Sequence, residues 1–179
     1  MSQTMHFLGM PGRVADEISA FDWSSTSLGA PENWPPALVT TLRQVLATRQ
    51  PTCFWWGDDL LQFYNDAYLP MLAGREKSAL GQPFREYWAD VWEGVEPFVL
   101  RAQAGEGTWI ENLPLRILRN GIMQDSFWTF SYSPLYDDQG KIAGLLNVVT
   151  ETTSAVLDRQ ALEAGLSRSA EASRRARTV

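Results

Sequence analysis

The run FWWGDDLLQFYNDAY, from Phe54 to Tyr68, restricts the fold of this chain more than any other segment. Two short aromatic-rich stretches flank Gly57-Asp58-Asp59, residue types that favour a tight turn. Alternate side chains of a strand share a face, so Phe54 and Trp56 are expected together, as are Leu60, Gln62 and Tyr64. Asn65 follows at once, and its side-chain oxygen suits the N-cap of a helix. A hairpin that runs straight into a helix predicts a sheet closed on one face by helices. Such a shape holds small molecules or passes signals more often than it performs chemistry.

Farther along, short helical segments are expected over 65–73, 84–90 and 93–104. After Gly105 the period changes to that of strands, over 108–118, 126–135 and 141–150, with Asn120-Gly121 and Asp137-Asp138-Gln139-Gly140 as turns. The strand 126–135 carries the clearest pattern: Trp128, Phe130 and Tyr132 alternate with Thr129, Ser131 and Ser133. The order predicts an α+β fold, with five strands in one antiparallel sheet and helices on one face.

The flanks divide the chain further. Residues 1–21 show weak periodicity and are expected to be partly ordered at best, within a partly irregular N-terminal extension over 1–33. A flanking helix is expected over 34–50, opened by Trp34-Pro35-Pro36, with Leu38, Leu42 and Val45 on an apolar stripe that needs a partner. These three are the expected dimer surface. The core spans 51–153. From 154 to 179 the residues are good helix formers, with Leu157, Ala161, Leu162 and Leu166 as a stripe.

Composition narrows the function. With 45% hydrophobic and 20% charged residues, the chain can build one domain with a real core. A net charge of −6 argues against nucleic acid, whose phosphates demand Lys and Arg. Cys53 is the single cysteine, so no intrachain disulfide forms. Residues 1–13 lack the pattern of a signal peptide, and no run approaches the ~18 apolar residues of a membrane helix. A cytoplasmic location is the simplest expectation.

Several short motifs now fall in one order: Asp22-Trp23-Ser24 with Leu28-Gly29, Trp34-Pro35, Trp56-Gly57, Tyr64-Asn65-Asp66-Ala67-Tyr68, Leu80-Gly81-Gln82-Pro83, Trp88 through Trp92, Phe130-Ser131-Tyr132-Ser133-Pro134, and Thr150-Glu151-Thr152-Thr153. Across Phe21 to Thr153 the chain resembles PAS sensor domains, in particular those near the N-termini of bacterial sensor histidine kinases. The resemblance implies a five-stranded sheet, a helical cover and a pocket between them. It also implies a homodimer, and a relay of ligand or partner state through Glu151, Thr152, Thr153 and the last helix to an output domain such as a kinase. No kinase phosphoacceptor or nucleotide-binding segment is in the sequence. The chain is then expected to be either a sensory piece of a longer protein, as the uncapped end at Arg177-Thr178-Val179 suggests, or a stand-alone sensory protein.

The candidate pocket comprises Phe54, Trp56, Tyr64, Tyr68, Phe84, Trp88, Trp92, Phe98, Trp128, Phe130 and Tyr132; the alternative is that these rings simply fill the core. No cofactor is required. Non-covalent flavin, stacked on the tryptophans, stays open, whereas the cysteine of light-sensing relatives lies in the helical region and Cys53 does not. Haem lacks a ligand there, because the one histidine is His6, and a metal site fails for want of His and Cys. The acidic pairs Asp58/Asp59 and Asp137/Asp138 sit in turns, and no nucleophile constellation appears, so catalysis has no support. A ligand-free dimerisation scaffold and a flavin-type redox or light sensor stand as alternatives to a ligand-sensing relay. Asn65 is expected as a cap, and Glu151 is expected to pair with Arg116 or Arg119.

Overall fold

The computed structural model describes residues 8–72 and 74–177. Expectations that touch His6, Ala73, Thr178 and Val179 fall outside them. Five strands, β1 (Thr52–Trp56), β2 (Leu61–Tyr64), β3 (Thr108–Arg119), β4 (Ile122–Tyr136) and β5 (Ile142–Glu151), form one antiparallel sheet in the order β2-β1-β5-β4-β3. The last strand therefore lies at the centre. Gly144 permits this: a Cβ there would stand 2.1 Å from the Trp55 carbonyl oxygen across the ladder. The β3–β4 hairpin closes through Asn120 (φ 49°) and Gly121 (φ 78°), the left-handed pair that a two-residue turn demands.

One sheet face is covered by a 3₁₀ segment (Asp66–Leu72), α3 (Phe84–Tyr87) and α4 (Trp92–Gln103). The first of these was expected as α-helix; Pro70 inside it has no amide to donate. Asn65 caps it as expected, with Oδ1 accepting the Tyr68 amide at 3.1 Å. The same side chain ties three chain segments together. Its Nδ2 donates to the carbonyls of Val45, Thr48 and Gln50, and its Oδ1 also accepts from the Thr52 amide.

The N-terminal region corrects two expectations. Residues 13–20 are not irregular: α1 (Arg13–Ala20) buries Val14, Ala15 and Ile18 in the core. In α2 (Pro36–Ala47) the stripe Leu38, Leu42 and Val45 has a partner within the chain. The three are 0%, 0% and 4% exposed, so they are core residues and not a dimer surface. An amphipathic stripe reports that a face is covered, not by which chain. Together with Trp23 and Trp34, these helices close the reverse face of β1 and β2, where Trp23, Phe63 and Phe54 stack with centroids 4.7 and 4.8 Å apart.

Past β5, α5 (Thr153–Arg177) leaves the domain. Val156 is its one buried residue among those described, and Leu157, Leu162 and Leu166 are exposed.

Candidate functional site

Between the sheet and its helical cover lies a cavity of about 50 Å³. A single water needs at least ~10–15 Å³ and a benzene-binding cavity about 150 Å³, so the space matches a few waters. Six expected residues line it: Tyr68, Phe84, Trp88, Trp128, Phe130 and Tyr132. The strand β4 contributes three of these, because its outer face stays partly open and the alternation in its sequence marks the inner one.

Five expected residues do not line it. Phe54 and Trp56 point to the reverse face, toward the N-terminal helices, and the cavity wall is Trp55 instead. Every residue of β1 is buried, so no polar alternation identifies its inner face, and the expected register was shifted by one residue. Tyr64 is on the inner side but sits behind Tyr68, with ring centroids 5.9 Å apart. Trp92 packs edge-on against Phe84 at 5.3 Å and lines an outer groove. Phe98 supports Phe130 from 6.0 Å.

Residues absent from the expectation complete the walls: Met71, Val91, Val95, Leu115, Ile117, Asn147 and Val149, besides Trp55. Gln62, fully buried, orients two of the aromatic walls. Its Oε1 accepts the indole N–H of Trp55 at 3.2 Å and of Trp88 at 2.7 Å, while its Nε2 donates to the Ala79 carbonyl at 3.0 Å. The third indole, Trp128, donates to Ser126 Oγ at 2.7 Å. All three tryptophan N–H groups are thus used within the protein.

Asn147 differs. It stands on the central strand, opposite Cys53 on one side and Tyr132 on the other. Its Nδ2 donates to Cys53 Sγ at 3.7 Å, but its buried Oδ1 accepts no hydrogen bond among the described residues. Leaving such an acceptor dry costs about 1–3 kcal/mol. A lone polar residue inside Leu145-Leu146-Asn147-Val148-Val149 was the available signal, but the strand order needed to place it was not.

Burial pushes the Cys53 thiol up to about 12, with hydrogen bonds to Tyr68 and Asn147 opposing weakly. Burial likewise raises the Tyr68 and Tyr132 phenols well above their ordinary value. At neutral pH the thiol and both phenols are protonated, so the cavity is uncharged and Cys53 is no nucleophile. The three fused rings of an isoalloxazine exceed this cavity, so flavin does not fit it. Among the described residues no cluster of His, Cys, Asp and Glu suits a metal ion.

At the sheet edge, Arg119 Nη2 lies 2.8 Å from Glu151 Oε2, and Arg116 pairs with Asp125 instead. Thr153 Oγ1 donates to Glu151 Oε1 at 2.9 Å and accepts the Phe127 amide at 3.0 Å; the Thr152 amide donates to the Phe127 carbonyl at 2.8 Å. The first turn of α5 is thus fastened to the residue beside Trp128.

Comparisons with known proteins agree with this architecture. An RNA-binding light-oxygen-voltage receptor is similar at 18% identity and a TM-score of 0.53, over 82% of this chain and 40% of that one. The chain therefore spans well under half of that receptor. The PAS domain of BvgS from Bordetella pertussis is 21% identical, with a TM-score of 0.49, over 73% of this chain and 97% of that one. No curated protein matches the chain. A family model described as PAS fold matches residues 47–157, more than half of the sequence. With its sheet order, helical cover and that match, the chain belongs to the PAS fold family.

Proposed function

We propose that the chain is a sensory module whose core, residues 51–153, answers to a small molecule in the cavity and passes that state through residues 154–179 to an output domain such as a histidine kinase. The observation that carries this is one of adjacency. Trp128 lines the cavity and is paired with Glu151, while the next residue back, Phe127, holds Thr152 and Thr153 through both its main-chain groups. A shift of the Trp128 ring therefore acts on the root of α5 with no intervening segment. Glu151, Thr152 and Thr153 are the relay, and the Arg119 ion pair fixes the exit angle of the helix. In this reading the protein works in the cytoplasm, without catalysis of its own, as a homodimer paired along α5, where Leu157, Leu162 and Leu166 are exposed. No described helix is long and apolar enough to cross a membrane.

The small cavity favours one second reading: a packed scaffold that relays contact with a partner protein and holds no ligand.

The relay is tested with Trp128→Ala, which opens an indole-sized space, by following amide hydrogen exchange with and without added indole. Exchange at the Phe127 and Val156 amides should rise in the empty variant and fall again about tenfold when indole fills the space, the scale of one hydrogen bond. Indole that binds and leaves both amides unchanged would overturn the relay.

A further inference from the structure

We propose that Asp90 is a latch: it ties the helical cover to the hairpin that holds the root of α5, so that loosening the cover frees that helix by a route separate from β4. This rests on the reading of Glu151 and Thr153 as the root of the relay, but it needs no ligand in the cavity.

Asp90 lies between α3 and α4 with its side chain 12% exposed, and its two oxygens serve different parts of the molecule. Oδ1 meets Arg75 Nη1 at 3.3 Å, within the cover. Oδ2 accepts the backbone N–H of Leu118 at 2.8 Å, on the edge strand β3. Alternate amides of an edge strand have no ladder partner, and a carboxylate gives this one a charge-assisted bond. Arg75 is packed into the cover. Its guanidinium lies 4.5 Å from the centre of the Trp88 ring, and the Tyr87 hydroxyl donates to its carbonyl at 3.0 Å. Beside it, Gly74 (φ 85°) sits against the hairpin turn, where a Cβ would stand 2.5 Å from Asn120 Oδ1. The cover thus meets the β3–β4 hairpin at Leu118 and at Asn120, and the Arg75–Asp90 pair joins the two contacts.

The hairpin carries the connection onward. Arg119, next to Leu118, grips Glu151 through both Nη1 and Nη2, at 3.3 and 2.8 Å. Glu151 in turn accepts from Thr153, the first residue of α5. A two-pronged pair of this kind depends on geometry, so it responds to where the hairpin holds Arg119. The two states are a root docked on Arg119 and a root released from it. Asp90 biases that equilibrium by fixing the backbone that presents Arg119, and the coupling is felt equally from either end.

The test is amide hydrogen exchange in the full chain carrying Asp90→Ala. Exchange at Val156, whose N–H donates to the Thr152 carbonyl at 3.0 Å, is expected to rise about tenfold, the scale of one hydrogen bond. Leu145, in the central strand, should not change. In an Arg119→Ala background the same substitution should no longer move Val156, since the contact that carries its effect is already gone. Acceleration confined to Leu118 would make Asp90 an edge cap only, and equal acceleration at Val156 and Leu145 would make it a general stabiliser; either result overturns the latch. The relay through β4 is read separately. An indole response at Phe127 in Trp128→Ala leaves that relay standing when the latch fails, and silence in both variants overturns both. Should Asp90→Ala not fold, Glu151→Gln is measured at Val91, whose N–H donates to the Trp88 carbonyl at 3.0 Å. Release of the root should speed exchange there, and an unchanged Val91 overturns the latch.

Discussion

Asp66 Oδ1 accepts the backbone N–H of Val14 at 2.8 Å, across a sequence separation that no local pattern announces. Its Oδ2 accepts the Arg13 amide at 3.2 Å, so one carboxylate caps the first turn of α1 from the 3₁₀ segment. Two residues on, Tyr68 lines the cavity. The N-terminal helix is thereby held by the segment that forms one wall of the site. A helix start favours negative charge and needs acceptors for its free amides, and Asp66 supplies both.

Asp66→Ala should therefore cost about 1 kcal/mol in urea denaturation, within the usual range for a lost cap. The local effect should be larger than the global one. Amide exchange at Val14 should rise while that at Phe130, in the sheet, stays unchanged. Equal acceleration at both positions would mean that α1 does not loosen separately from the core.

Gln62 offers a second test, because one oxygen serves two indoles. Gln62→Leu keeps similar bulk but strands the Trp55 and Trp88 N–H groups. At roughly 1–3 kcal/mol for each of the two orphaned donors, the loss in stability should be about 2–6 kcal/mol. Tryptophan fluorescence should shift as the two rings lose their fixed orientation. A loss below about 0.5 kcal/mol would show that the pair is not held as described.

Alkali should destabilise the fold, beginning with Cys53. Burial raises this thiol from near 9 to about 12, so the folded protein keeps a proton that the unfolded chain releases. The resulting stability is fully present below about pH 9 and is lost as pH rises toward about 12, with a limiting slope of about 1.4 kcal/mol per pH unit. The raised phenols of Tyr68 and Tyr132 add to the decline at higher pH. Unfolding free energies measured between about pH 8 and 11 should fall, and Cys53→Ala should flatten the first part of the decline. An unaltered profile in that variant would remove the thiol from the account.

The sequence by itself determined the element order from α2 onward, the family resemblance, the turn at Asn120-Gly121, the capping role of Asn65 and the inner face of β4. Each is encoded locally. A turn needs particular backbone angles, a cap needs an oxygen at one spacing, and a strand with one face partly open must alternate. The tertiary structure decided what depends on partners. In β1 both faces are buried, so Phe54 and Trp55 look alike until the N-terminal helices are seen to cover one side. The stripe of Leu38, Leu42 and Val45 calls for an apolar partner, but only the packed chain shows that the partner is its own core. Asn147 is one polar residue in an apolar strand until the order β2-β1-β5-β4-β3 places it at the centre of the sheet, beside the cavity. Local propensity sets which side of an element avoids water; the contacts between distant segments set what that side meets.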